Sequence, residues 1–188
     1  MVIVIHQTAD TRNALLYNEQ KVKEGVATYF HSANTLSLNP FLYDQNHRMK
    51  ILLDIESCNS RVKNKCLHIS FNPSGADCLK MDEKAIRQEI SKMMEQMGYG
   101  NQPYFVYKHK DLDRVHYHVV STRIDQETGK KIKDNYEHQK MQRFIGDLEQ
   151  KYGLTQEASQ LQQNDFTLNA TCEDLKARIE GIFRLLNR

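Results

Sequence analysis

No stretch of this chain approaches the roughly 20 consecutive apolar residues that cross a bilayer, so a membrane-embedded role has no support. The four cysteines, Cys58, Cys66, Cys78 and Cys172, show no C-x-x-C spacing, and the fold need not be stapled by disulfides. The opening Met1-Val2-Ile3-Val4-Ile5 is too short for a signal peptide and lacks its basic start, so free thiols in a reducing cytosol are expected. There is no glycine-rich phosphate loop, and no strong excess of one charge. With 26 Lys and Arg against 24 Asp and Glu, the formal charge of +2 does not by itself announce a nucleic-acid partner. What remains is a chain of 188 residues, long enough for one domain with a real core and perhaps an appended element.

The patterning alternates between two periods. Val2 to Ile5 reads as a short buried strand. From Thr11, a candidate N-cap, to about Phe30 the spacing of Leu15, Leu16, Val22 and Val26 predicts a helix, with Glu19, Lys21, Lys23 and Glu24 outside and Gly25 weakening its far end. Asn34 to Pro40 is loop-like, and Tyr43 to Ser57 reads as a second helix. Cys66 to Phe71 alternates, with Leu67, Ile69 and Phe71 on one side and Cys66, His68 and Ser70 on the other. Asn72 to Gly75 breaks the chain. Met81 to Met97 predicts an amphipathic helix closed by Gly98, its methionines serving as core filling. Lys130 to Lys133 suggests a short strand and Glu137 to Tyr152 a helix. Gln156 to Asp165 reads as a linker, and Leu175 to Leu186 as a last amphipathic helix that must dock somewhere. The predicted class is α+β, a mostly antiparallel sheet with flanking helices and histidines on one face, over residues 1–154, with 155–188 as linker plus C-terminal helix.

The most informative segment is His109-Lys110-Asp111-Leu112-Asp113-Arg114-Val115-His116-Tyr117-His118. Pro103 to Lys108 and Val119 to Arg123 are rich in β-formers, and Lys110 to Arg114 is a polar connector, so a hairpin is predicted. His116 and His118 share a face because strand side chains alternate, and the hairpin can bring His109 across to them. Three neutral imidazoles form a metal site that leaves coordination positions open for chemistry. The bland reading is that a strand histidine packs and hydrogen-bonds without binding anything; the third histidine and the nearby carboxylates weigh against it. Asp111 is the candidate to orient a ligand, while Asp113 shapes the turn.

His109-x-Asp111-x-x-x-x-His116-x-His118-Val119-Val120 resembles the third motif of the relaxases, mobilisation nucleases of the HUH endonuclease superfamily. His68-Ile69-Ser70-Phe71-Asn72-Pro73 resembles their second motif, and Leu15-Leu16-Tyr17-Asn18-Glu19-Gln20-Lys21-Val22 the first. The wording is most similar to relaxases of Bacteroides-type mobilisable elements, including Met97 to Pro103. The resemblance runs from about Val2 to Leu154. It implies a site- and strand-specific nick in single-stranded or hairpin origin-of-transfer DNA, by tyrosine transesterification giving a 5′-phosphotyrosine and a free 3′ hydroxyl. Tyr17 would be the nucleophile, with Tyr29 the next candidate. His109, His116 and His118 would hold the metal, and Asp111 would assist. Mn2+ or Mg2+ is expected in function, with Zn, Ni or Co also compatible with three imidazoles. His68, Ser70, Arg123, Lys131 and His138 are expected DNA contacts, although a core pairing of His68 stays open. The strand ending in His6-Gln7 departs from a lysine expected there, and leaves open a changed phosphate contact or a fourth imidazole.

The family further implies accessory mobilisation proteins, a coupling protein, a bacterial cytoplasmic location, and carriage to the recipient attached to DNA. Three alternatives remain at this level. A rolling-circle replication initiator or transposase uses the same chemistry, an accessory DNA-binding protein would have a structural or vestigial metal site, and a three-histidine metallohydrolase would activate water.

Overall fold

The computed structural model describes residues 1–6, 10–35, 44–112 and 114–154. In chain order the elements are β1 (Val2–His6), α1 (Thr11–Lys23), β2 (Ala27–Ala33), α2 (Gln45–Ser57), β3 (Cys66–Asn72), α3 (Gly75–Lys80), α4 (Glu83–Met97), β4 (Tyr104–His109), β5 (His116–Thr122) and α5 (Glu137–Tyr152). The five strands form one sheet in the order β1-β3-β5-β4-β2, and every neighbouring pair is antiparallel. The predicted α+β class is the observed one. No helix among the described residues is long and apolar enough to cross a membrane.

One sheet face carries the main core. Leu67, Ile69 and Phe71 of β3, Tyr104 and Val106 of β4 and Tyr117 and Val119 of β5 pack against Ile86, Ile90, Met93, Met94 and Met97 of α4 and Met141, Phe144, Ile145 and Leu148 of α5. The α4 methionines are core filling, as the pattern predicts, and each such buried apolar side chain contributes about 1.5–3 kcal/mol. The opposite face has a smaller apolar cluster. Ala14 and Leu15 of α1 and Met49 and Leu52 of α2 cover Cys66, Phe105, Tyr107 and Val120. Helices therefore flank both faces, and α1 lies on the same face as the histidines.

Three predictions need correction. The first helix ends at Lys23, with Asp10 rather than Thr11 as its cap, its carboxylate accepting from Asn13 N at 3.0 Å. Gly25 then turns the chain at φ 75, a left-handed conformation that glycine adopts without strain. The residues that follow are β-branched and aromatic, and they pair with β4 as a strand, so sheet pairing overrides the helical period. Glu19 is buried rather than outside. Its Oε1 accepts from Arg48 Nε at 2.8 Å and from the Tyr107 hydroxyl at 2.5 Å, tying α1 to α2 and the sheet. Lys130 to Lys133 forms only an isolated bridge between Ile124 and Lys131. The predicted linker and last helix lie outside the described residues.

Candidate active site

Register explains how the histidines meet. His109 and His116 are directly paired across the β4–β5 hairpin, and His118 stands two residues further on the same face. The ring centroids lie 5.1 Å apart for His109 and His116, 4.5 Å for His109 and His118 and 5.1 Å for His116 and His118. One nitrogen from each lies within 4.8 Å of the others, a spacing that can hold one metal ion.

The hydrogen bonds say which nitrogens face inward. His109 Nε2 lies 2.7 Å from Asn18 Oδ1, His116 Nδ1 lies 3.4 Å from the Arg114 carbonyl, and His118 Nδ1 lies 2.9 Å from His68 Nε2. For His109 and His116 the partner is an oxygen acceptor, so the bonded nitrogen carries the proton and the other is free to ligate, while His118 Nδ1 is engaged by His68 and its Nε2 is left over. His109 Nδ1 is buried without a hydrogen-bond partner among the described residues, and so is Asp111 Oδ1. The two face each other across 3.9 Å, and His116 Nε2 is 3.7 Å from the same carboxylate oxygen. Buried polar atoms are nearly always satisfied, so two converging orphans mark a place for a cation. The donor set fits a divalent metal. Burial and neighbouring imidazoles push His109 down to about 4 and His118 to about 2, so both are neutral and able to ligate at neutral pH.

Asp111 sits on the ligand side of these rings, not behind one of them. The carboxylate expected to accept a ligand N–H faces the cation position instead, and the acceptor behind His109 is Asn18. On its outer side Asp111 Oδ2 pairs with Lys21 Nζ at 3.2 Å. Lys21 Nζ is 5.9 Å from the Tyr17 ring centroid.

Tyr17 projects from α1 over the histidines and is 46% exposed. Its ring stacks near His109 at 5.9 Å and meets His118 edge-on at 6.0 Å. Tyr29, the second candidate nucleophile, lies instead in β2 against Tyr107 and under the Arg48 guanidinium, 4.5 Å from its ring.

A second histidine group adjoins the first. His6 pairs with His68 across β1 and β3, and His6 Nε2 is hydrogen-bonded to Ser70 Oγ. His6, His68 and His118 also bring ring nitrogens within 4.8 Å. Here His68 Nε2 bonds to His118 Nδ1, and Ser70 Oγ bonds to His6 Nε2 and His118 Nδ1, so hydrogen bonds already engage one nitrogen of each ring. His68 and Ser70 are therefore beside the candidate metal centre, behind His118, and His6 joins them.

Arg123, Lys131 and His138 are not brought to this site. Arg123 lies beyond the far end of β5, seven strand residues or roughly 20 Å from His116. It is buried, with Nη1 at 2.6 Å from Glu137 Oε1 and 3.1 Å from the Tyr99 hydroxyl. Lys131 pairs with Asp134 at 2.5 Å, and His138 is exposed on the first turn of α5. Sequence reasoning missed Asn18 and Lys21 as members of the site. Both stand in the motif around Tyr17, but that motif assigned neither of them a role at the site.

A sheet face that gathers neutral imidazoles and an orphaned carboxylate oxygen beneath an overhanging phenol defines a centre suited to phosphate chemistry. The family described as Relaxase: MobA/VirD2-like, nuclease domain matches residues 17–154, well over half of the chain, and the chain belongs to that family. Its role is accordingly that of a DNA-nicking relaxase nuclease. Comparison with curated proteins and with solved structures returns no match.

Proposed function

We propose that the protein nicks one strand of single-stranded or hairpin DNA at an origin of transfer, with Tyr17 as the nucleophile, and so starts the transfer of a plasmid or mobilisable element. The phenolic oxygen forms a bond to the scissile phosphorus as the bond to the 3′ oxygen breaks. The phenol loses its proton, the departing oxygen gains one, and a 5′-phosphotyrosine diester remains. That diester can be reversed by a 3′ hydroxyl, so the same residues can rejoin strands. The observation that carries this reading is the placement of an exposed Tyr17 ring 5.9 Å from His109 and 6.0 Å from His118.

A phenol, with a pKa of about 10, is a weak nucleophile at neutral pH and needs nearby positive charge. Lys21 supplies one such charge one helical turn from Tyr17 and is itself held by Asp111. His109, His116 and His118 would hold the divalent ion, with Asp111 facing it. Such an ion, when bound, neutralises charge on the phosphate oxygens and orients them for in-line attack. Mn2+ or Mg2+ suits the carboxylate and the reaction, and the imidazoles also admit Zn, Co or Ni. Leu16 and Leu112 are exposed near Tyr17 and Asp111 and offer apolar surface to unstacked bases. His68 and Ser70 line the same face, while Lys131 and His138 are left for phosphates further along the strand.

The test is a denaturing gel with single-stranded segments of the source element's mobilisation region and Mn2+. Wild type should form a denaturation-resistant protein–DNA adduct that Tyr17→Phe lacks. Cleavage without an adduct would replace this mechanism with attack by activated water, and binding without cleavage would leave an accessory DNA-binding role.

A further inference from the structure

Asn18 is the residue after the proposed nucleophile and is fully buried. Its two amide ends face different partners. Nδ2 donates to the Ala14 carbonyl at 2.7 Å, and Oδ1 lies 2.7 Å from His109 Nε2. Rotating the amide by half a turn would set Oδ1 against the Ala14 carbonyl oxygen, two acceptors at hydrogen-bond distance. The chemistry of the pair therefore fixes the amide, and a fixed Oδ1 requires His109 to carry its proton on Nε2. The lone pair is then on Nδ1, the atom that faces Asp111 Oδ1 and has no hydrogen bond among the described residues. The opposite tautomer would aim a proton at the cation position and leave two acceptors facing each other at Asn18.

We propose that Asn18 is a positioning residue that selects the ligating tautomer of His109 and thereby locks the helix carrying Tyr17 to the metal centre. This rests on the reading of His109 as a metal ligand given above. Because Tyr17 and Asn18 are consecutive on α1, one side chain reaches substrate while its neighbour grips a ligand from behind. Any displacement of α1 that moves the phenol also withdraws the acceptor from His109. Nucleophile position and metal affinity are thus coupled through one hydrogen bond, in the part usually played by a carboxylate behind a metal-bound histidine.

The experiment uses the full chain labelled with 15N-histidine, with Mn2+ or Zn2+ titrations beside it. In metal-free wild type the His109 proton should reside on Nε2. Asn18→Leu, which lacks both amide ends, should lose that preference and weaken metal binding by about 10- to 100-fold. Asn18→Asp keeps an acceptor for His109 but loses the donor to Ala14, so it should restore the tautomer and bring affinity within a few-fold of wild type, even where its melting temperature falls. A merely structural role predicts the opposite, with affinity following the melting temperature in both variants. A His109 proton on Nδ1 in wild type overturns the proposal, and does so even if Asn18→Leu fails to fold. Wild-type affinity in a folded Asn18→Leu overturns it as well. A wild type that binds no divalent ion would sink the metal reading itself, while the tautomer measurement still decides the role of Asn18.

Discussion

Two buried polar clusters occupy opposite ends of β5, and they differ in how completely they satisfy themselves. At the far end Arg123 meets Glu137, Asp134, the Tyr99 hydroxyl and the Cys66 carbonyl, while Lys131 caps Asp134. At the near end His109 Nδ1 and Asp111 Oδ1 face each other without hydrogen bonds. Burial alone does not separate the clusters, since Arg123 is 7% exposed and His118 is also 7% exposed. Single unsatisfied atoms occur elsewhere too, at Gln102 Oε1 for example. What distinguishes the histidine end is convergence, with several donors aimed at one common point. A satisfied cluster holds the fold together, whereas a convergent unsatisfied one is where the proposed metal site belongs.

The sharpest way to break that comparison is to truncate one member of each cluster and read both stability and chemistry. His116→Ala should lower cleavage by about 10³-fold or more, roughly 4 kcal/mol at the transition state, with little loss of metal-free stability. Arg123→Ala should cost about 3 kcal/mol of folding free energy, because it leaves the Glu137 and Asp134 carboxylates without their shared partner. Its metal affinity per folded molecule should stay at the wild-type value. Denaturant unfolding and metal titration of the two variants decide the matter. If Arg123→Ala instead weakened metal or DNA binding without loss of stability, the far cluster would be functional after all.

A smaller effect per step distinguishes the two ends by acid. Burial, as the leading cause, lowers His68 and His109 to about 4 and His118 to about 2 from the usual 6.5. These groups are bases held neutral in the fold, so between pH 6.5 and about 4 the unfolded chain takes up protons that the folded chain refuses. Stability is highest above about pH 6.5 and falls on acidification, by about 1.4 kcal/mol per pH unit for each such proton. At the far end Asp134 is lowered below 3.8, first by its hydrogen bond from Lys131. Its contribution is present above that value and is lost only as pH falls through the lowered pKa. The metal-free protein should therefore weaken from pH 6.5 downward, and His118→Gln should flatten that slope. A urea midpoint that holds constant from pH 7 to pH 5 would contradict the neutral, desolvated state of the histidines.

How much of this was legible in the sequence follows from the range of the interactions involved. The hairpin and its three histidines were legible because strand alternation is local and places His116 and His118 together without tertiary information. The α4 stripe was legible for the same reason at the helical period. Arg123 was misjudged because nothing in its sequence neighbourhood reveals Tyr99, 24 residues away, as its hydroxyl partner. Asn18 stands in the motif around Tyr17, but its role was hidden for a similar reason, since its partner His109 lies 91 residues away. Glu19 was placed outside by periodicity, although Arg48 and Tyr107 make its burial tolerable. In each case a charge or amide was matched across the fold, and such matching leaves no periodic trace.

The weakest expected effect tests the turn from α1 into β2, which adjoins the histidine end of the sheet. Gly25 has φ +75, and a Cβ there would meet nothing within 4 Å. Gly25→Ala should therefore cost about 1 kcal/mol, from left-handed backbone strain alone and not from any clash. The cost should register in the denaturation midpoint only, because neither polar cluster is touched. Yet the turn lies two residues before Ala27, which pairs with His109 in the sheet. If the substitution stabilised the protein, the helix would continue past Lys23 as its apolar spacing suggests, and β2 could not stand where it does. If it instead lowered metal affinity, strain at the turn would be reaching His109 through the β2–β4 pairing, and the histidine end would extend further into the fold than its hydrogen bonds indicate.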